Sequence, residues 1–207
     1  MNYLTIDTFK EMLRAALQTV TERADEFSQL DAVIGDGDHG TAIVQAMNSV
    51  VSALNKEGDF KTLLNDAGFN VMLQTSGSTS TLLGGFLLGM SDEAQGSELD
   101  AEGVKKMFVG GLEGVRKNTK AQPGDKTMMD ALVPAVDAMV ATQGEDISLL
   151  FSNAANAANK GAEETVQMKA NFGRARNYGE RSIGHADSGA TSWACIFTTF
   201  SQYLKTH

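Results

Sequence analysis

Several things are scarce in this sequence, and each scarcity excludes something. A single cysteine, Cys195, rules out an internal disulfide and suits a reducing compartment. Set in Trp-Ala-Cys-Ile-Phe, it reads as a small buried hydrophobe rather than a nucleophile. Only two prolines, Pro123 and Pro134, interrupt the 207 residues, so long helices are free to form. Lysine and arginine are outnumbered, and a formal charge of −9 excludes the basic surface that nucleic acid requires. No apolar window reaches the length of a membrane span. The start, Met1-Asn2-Tyr3-Leu4-Thr5, has no basic segment leading an apolar core, so no signal peptide is expected. Together these predict a cytoplasmic protein with neither nucleic-acid nor membrane partners. Strand–helix alternation, internal repeats and linker composition are also missing, which predicts one domain over residues 1–207.

What is present is helical periodicity. Ile6, Phe9, Leu13, Ala16, Val20 and Phe27 form one apolar face over residues 6–30, with Thr8 and Glu11 spaced as a capping box. Ile43, Met47, Val50 and Leu54 predict a helix over 41–56, and Phe60, Leu64, Ala67 and Val71 another over 59–75. A more apolar helix carries Leu82, Phe86, Leu87 and Met90, followed by a polar loop over 91–99. Asp100 is placed to cap a helix over 100–119 with Val104, Phe108, Leu112 and Val115. Met129, Leu132, Val136 and Met139 mark the next helix, in which Pro134 predicts a kink. Asp146 can cap an alanine-rich helix, and Trp193, Ile196, Phe200 and Leu204 mark the last. The prediction is all-α: about eight antiparallel amphipathic helices in an up-and-down helical barrel.

One stretch departs from this pattern: Leu30-Asp31-Ala32-Val33-Ile34-Gly35-Asp36-Gly37-Asp38-His39-Gly40. Asp31, Asp36 and Asp38 crowd like charges into a loop without lysine or arginine, which is unfavourable without a counter-ion. Mg²⁺ resolves such crowding, taking a few carboxylate oxygens and completing its shell with phosphate and water. A solvated Asp-Gly turn also accounts for Asp36 and Asp38, but not for Asp31 or for His39-Gly40. An EF-hand calcium loop fails, because its twelfth position, counted from Asp36, is Met47 instead of Glu.

Four polar, glycine-bearing turns, 35–41, 76–81, 123–127 and 184–190, each precede a helix. They stand at even separations in helix order, so an up-and-down arrangement gathers all four at one end. Helix N-termini offer free N–H groups and positive dipole ends that suit phosphate. An acidic loop beside them reads as a site for a magnesium–nucleotide complex. Each turn also has a plainer reading. Ser76 to Thr81 serves equally as a flexible cap, and Arg174, Arg176 and Arg181 as surface charges or as phosphate ligands. His185 fits a structural hydrogen bond as well as catalysis, and His39 is better suited to shaping its loop than to attack. Met128 and Met129 fit the core, with a secondary use against a planar base. Gly124-Asp125-Lys126-Thr127 is not a P-loop, since it lacks the adjacent Gly-Lys and the earlier glycine.

Three motifs in order, Leu-Asp-x3-Gly-Asp-Gly-Asp-His-Gly, Pro-Gly-Asp-Lys-Thr-Met and Gly-Glu-Arg-Ser-Ile-Gly-His-Ala-Asp-Ser-Gly-Ala-Thr-Ser, resemble the nucleotide-binding L subunit of dihydroxyacetone kinase. The resemblance spans nearly the whole chain. It implies an eight-helix barrel that binds ADP or ATP at one end through two Mg²⁺ ions held by Asp31, Asp36 and Asp38. By position it implies nucleotide contacts from His39, Gly40, Thr41, Ala42, Thr79, Ser80, Thr119, Met128, Arg174, Asp187, Ser188 and Gly189. It further implies a kinase subunit that passes the γ-phosphate to a small ketose held by a separate K subunit. In phosphotransferase-linked members, bound ADP is rephosphorylated in place by a phosphohistidine M subunit. ATP-dependent relatives, often fused to the K domain, exchange nucleotide instead. The end of the chain at His207 favours the separate-subunit arrangement as an expectation.

Departures from the family pattern are Ser78-Thr79-Ser80 for Ala-Ser-Gly, no glycine near Thr119, Asp187-Ser188-Gly189 for Asp-Pro-Gly, and Arg176-Asn177-Tyr178-Gly179 for Ser-Tyr-Leu-Gly. They touch the nucleotide contacts and the rim facing a partner, so a ketotetrose such as erythrulose stays open beside dihydroxyacetone. A different class is also open: a nucleotide-dependent regulator or adaptor whose Mg–ADP state alters affinity for a transcriptional regulator. The related fatty-acid kinase type fits less well, because its first loop resembles Gly-Asp-Thr-Gly-Thr-Asn.

Overall fold

In the computed structural model, which describes residues 1–55 and 57–207, the apolar stripes turn inward to build one core. Helices α1 (Ile6–Glu22), α2 (Ala24–Ile34), α3 (His39–Ser52), α4 (Phe60–Gln74), α5 (Ser78–Glu93), α6 (Ala101–Arg116), α7 (Met129–Ala141), α8 (Ile147–Glu164) and α9 (Ser188–Thr206) carry most of the chain. Every stripe residue of α4, α6, α7 and α9 picked out by periodicity is buried. Neighbours in the chain pack together from α3 to α9, and α1 then touches both α9 and α3, so the helix contacts close on themselves. Through the centre runs a chain of rings. Trp193 meets Phe86 at 4.9 Å, Phe86 meets Phe108 at 5.8 Å, and Phe108 meets Phe151 at 5.4 Å. Phe151 continues to Phe200 at 6.0 Å and Phe200 to Phe9 at 6.1 Å. Tilted and edge-on ring pairs of this kind add to the area they bury. The fold is all-helical, as the periodicity predicts, and no helix among the described residues is long and apolar enough to cross a membrane.

Several expectations need correction. Residues 6–30 are not one helix. The chain breaks at Arg23, with φ −105° and ψ 9°, into α1 and α2. Thr19 and Thr21 return their hydroxyls to the Ala15 and Leu17 carbonyls, a competition that weakens the last turn. The break lets α2 lean across the start of α3 and drop Phe27 into the core. The cap of α1 is Thr5, which accepts from the Thr8 N–H at 3.1 Å, rather than Thr8 itself. A two-stranded antiparallel sheet, β1 (Tyr3–Thr5) with β2 (Glu98–Asp100), joins the N-terminus to the 91–99 loop, and α5 runs into that loop as far as Glu93. The helix expected over 41–56 ends at Ser52, and residue 56 lies outside the described residues.

The helices alternate in direction, and their two ends differ in one respect. At the end that carries the sheet, the N-termini are capped by side chains: Thr5 on α1, Asp59 on α4, Asp100 on α6 and Asp146 on α8. At the opposite end, no side-chain cap hydrogen bond is made at Asp38 before α3 or at Gly77 before α5, while the first N–H of α7, that of Met129, donates to the Thr127 hydroxyl at 3.2 Å. The start of α9, at the same end, is capped by Asp187.

Candidate functional site

This second end holds a cleft of about 380 Å³. It is lined from all four turns singled out in the sequence: 34–42 before α3, 76–79 before α5, 119–129 before α7 and 187–189 at α9. The even spacing of those turns in helix order is therefore realised in space.

Asp31, Asp36 and Asp38 each place a carboxylate oxygen within 4.8 Å of the others. Asp31, on the last turns of α2, is fixed by the loop it serves: its Oδ2 accepts the N–H groups of Gly37 at 2.8 Å and Asp38 at 3.1 Å. Its Oδ1 is left toward the cleft, where the Ser188 hydroxyl approaches at 3.4 Å. Gly35 is required here, because a Cβ would lie 2.5 Å from that Oδ1. Gly37 takes φ +78°, a conformation open to glycine at little cost. Arg174 pairs with Asp36 from the surface. Three converging carboxylates with hard oxygen donors fit a divalent cation such as Mg²⁺, and the bare loop lets solvent or phosphate complete the shell.

His39, at the start of α3, joins two walls of the cleft. Its Nε2 meets the Ser192 hydroxyl at 2.9 Å and its Nδ1 the Thr79 hydroxyl at 3.4 Å. Burial holds its pKa below the ordinary value, while Asp31 and Asp38 pull the other way. The ring is thus held between two hydroxyls, and it lines the cleft as well. Ala42, Thr79, Thr119, Met128, Arg174, Asp187, Ser188 and Gly189 also line the cleft. Gly40, Thr41 and Ser80 do not. Gly40 is buried against α2, Thr41 is exposed, and the Ser80 hydroxyl is taken up by Thr75 at 2.6 Å. His185 contributes its backbone carbonyl, which accepts from Lys126.

Sequence reasoning missed five residues of this site. Leu82, Phe172 and Trp193 supply apolar wall, and periodicity had assigned Leu82 and Trp193 to helix stripes without regard to which end they reach. Lys126, set aside with the P-loop, is buried at the cleft with φ +60°. Asp130 is buried behind it and accepts from Gly124 N–H at 2.6 Å and Thr127 N–H at 2.7 Å, so it shapes the third turn. A carboxylate three residues after Thr127 at a helix start was the available signal for that last bond.

Asp187 caps α9 through the Ala190 N–H at 2.7 Å, yet the protein packed round it pushes its pKa up to about 7. Desolvation is the largest cause, Asp130 and Asp31 add repulsion, and Lys126 opposes them. A folded-state pKa above the unfolded one means that the proton favours the folded chain. The associated stability is complete below about pH 4 and lost as pH rises through about 7. Asp187→Asn keeps a capping oxygen and removes the charge. In metal-free, nucleotide-free protein it should raise Tm at pH 8 and leave it nearly unchanged at pH 4.5, as thermal melts at the two pH values would show.

The all-helical domain thus sets a three-carboxylate loop beside the N-termini of α3 and α5, at which no side chain caps. The chain belongs to the DAK2 domain family, whose model matches residues 33–202. It is 35% identical over 187 residues to the ADP-binding subunit DhaL of the PEP-dependent dihydroxyacetone kinase 1 of Listeria innocua, covering 89% of this chain and 90% of that one. It is 36% identical to the corresponding subunit of Escherichia coli, covering 79% of this chain and 80% of the other. Similarity extends to an L-erythrulose 1-kinase of Mycolicibacterium smegmatis, 32% identical, where 93% of this chain matches only 35% of the longer protein. The fold matches the native crystal structure of the dihydroxyacetone kinase of C. freundii with a TM-score of 0.73 and 24% identity, covering 93% of this chain and 34% of that one.

Proposed function

We propose that this chain is the ADP- or ATP-binding subunit of a small-ketose kinase. On this reading it passes the γ-phosphate of a magnesium-bound nucleotide to dihydroxyacetone held by a separate K subunit, and a phosphohistidine M subunit recharges the bound ADP. The observation that carries the proposal is the pairing of the Asp31-Asp36-Asp38 cluster with the open N-termini of α3 and α5 in one cleft. Helix N–H groups without side-chain caps are what a phosphate chain needs, and carboxylates are what its metal needs. The similarity to two ADP-binding subunits over most of their length supports the same assignment.

Within the cleft the residues divide by chemistry. Asp31, Asp36 and Asp38 would hold two Mg²⁺ ions, which would supply charge neutralisation at the phosphates. Thr79, Ser188 and the first N–H groups of α3 and α5 bind phosphate oxygens, with Arg174 released from Asp36 to the same charge. Thr119, Met128 and Phe172 offer apolar surface to the base. No side chain acts as a nucleophile, since phosphoryl transfer is served by alignment and electrostatics.

Native mass spectrometry of the purified protein, followed by acid release and nucleotide analysis, tests this. ADP with magnesium at one equivalent, surviving long dialysis, supports a subunit recharged by a phosphohistidine protein. Reversible ATP binding to an empty protein instead favours direct ATP use. Absence of nucleotide binding in magnesium removes the proposal.

A further inference from the structure

Lys126 is almost wholly buried, 1% exposed, in a wall of the cleft. Buried lysines are rare because the ammonium must be rehoused with hydrogen-bond partners. Here the partners are two backbone carbonyls from separate passages of the chain: Thr165, just after α8, at 2.6 Å, and His185, in the turn before α9. Asp130 and Asp187 contribute opposing charge to the ammonium. Burial lowers its pKa and the two carboxylates raise it. The backbone of Lys126 adopts φ +60°, a left-handed conformation that a side chain pays to enter and that recurs at functional sites.

The consequences run to the cleft through short links. His185 lies two residues before Asp187, whose N–H donates to the Thr165 hydroxyl at 2.9 Å. The Gly184 N–H donates to Val166 O at 2.7 Å, tying the same two passages again. On the outer side Asp125 is bonded by Asn171, from backbone N–H and from side chain at 3.0 Å. Beyond Asp187, Ser188 reaches Asp31 and Ser192 reaches His39. The start of α9 is thus braced from below by the third turn and meets the acidic loop above.

We propose that Lys126 is a positioning residue of the nucleotide cleft, its ammonium bracing the Thr165 and His185 carbonyls so that Asp187, Ser188 and Gly189 stand opposite the acidic loop. It acts through these groups and does not itself contact nucleotide. The inference rests on the proposed nucleotide function, and its test separates the two.

Wild type, Lys126→Met and Thr165→Val would be stripped of nucleotide and compared by ADP titration in Mg²⁺, circular dichroism and amide hydrogen exchange. Lys126→Met should keep the helical spectrum, weaken Mg–ADP binding about 10- to 100-fold, the scale seen for outer-shell partners, and speed exchange at Gly184 and Asp187 while α4 and α6 stay protected. Thr165→Val, which removes the acceptor for the Asp187 N–H together with the hydroxyl's own bond to the Ala162 carbonyl, should move both readouts the same way by less. Wild-type affinity and exchange in Lys126→Met would overturn the proposal. So would loss of its helical spectrum, which makes Lys126 a requirement of the whole fold. A weakened Lys126→Met beside an unaffected Thr165→Val would also overturn it, because the lysine would then act directly. If wild type itself fails to bind Mg–ADP, the functional reading falls, while local exchange still tests the brace.

Discussion

Replacing Asp36 by alanine should abolish phosphoryl transfer, lowering activity by more than about a hundredfold, with the helical fold intact. Asp36 is 40% exposed at its side chain and has no bond to the loop backbone comparable to that of Asp31. Its removal therefore leaves the turn in place while deleting one of three converging oxygens. It also relieves like-charge crowding, so apo stability should change by no more than about 0.5 kcal/mol. Asp31→Ala should be worse in both respects, since Asp31 also anchors the Gly37 and Asp38 N–H groups. The check is paired: phosphotransfer with a K partner and a thermal melt. An Asp36→Ala protein with full transfer would remove the metal-site assignment.

The second large effect is expected at Gly40. A Cβ there would lie 1.9 Å from the Ala24 carbonyl oxygen and 2.5 Å from the Ser28 hydroxyl. The carbonyl belongs to the backbone of α2, which cannot turn aside as a side chain can. Gly40→Ala must push α3 off α2, the two helices that bracket the acidic loop. Overpacking of this kind costs about 3 kcal/mol, a Tm drop of about 10 °C for a chain this size. Magnesium affinity should fall with it, because the loop between the displaced helices carries the ligands. Calorimetric unfolding and a magnesium titration would measure both, and a variant as stable as wild type would show that α2 and α3 are not in the contact described.

Gly40 illustrates what the sequence could and could not tell. Family resemblance implied a nucleotide contact at this position, and the structure adds a packing reason that no local pattern carries: the carbonyl it avoids is sixteen residues earlier, on a helix that periodicity had merged into α1. Helix stripes such as Phe60-Leu64-Ala67-Val71 were legible because burial repeats with the helical period along one face. The gathering of four turns at one end was legible because helix order alone fixes which junctions share an end. The strands at Tyr3–Thr5 and Glu98–Asp100 were not, since three residues hold no period and their pairing spans most of a hundred residues. Lys126 and Asp130 were hidden for a related reason. Lysine and aspartate read as surface residues until tertiary contacts supply the carbonyls and amide groups that let them be buried. The capping pattern was half legible: Asp100 and Asp146 stood out as caps, whereas the missing caps at Asp38 and Gly77 gain meaning only once both helices are seen to open on one cleft.

The most direct test of the central claim is titration of ADP into nucleotide-free protein, once in Mg²⁺ and once in chelator, by calorimetry. One site per chain, tight in Mg²⁺ and weakened at least tenfold when the metal is removed, is the result predicted for an acidic loop acting with uncapped helix ends. Equal affinity with and without metal, or no binding in either buffer, would contradict it.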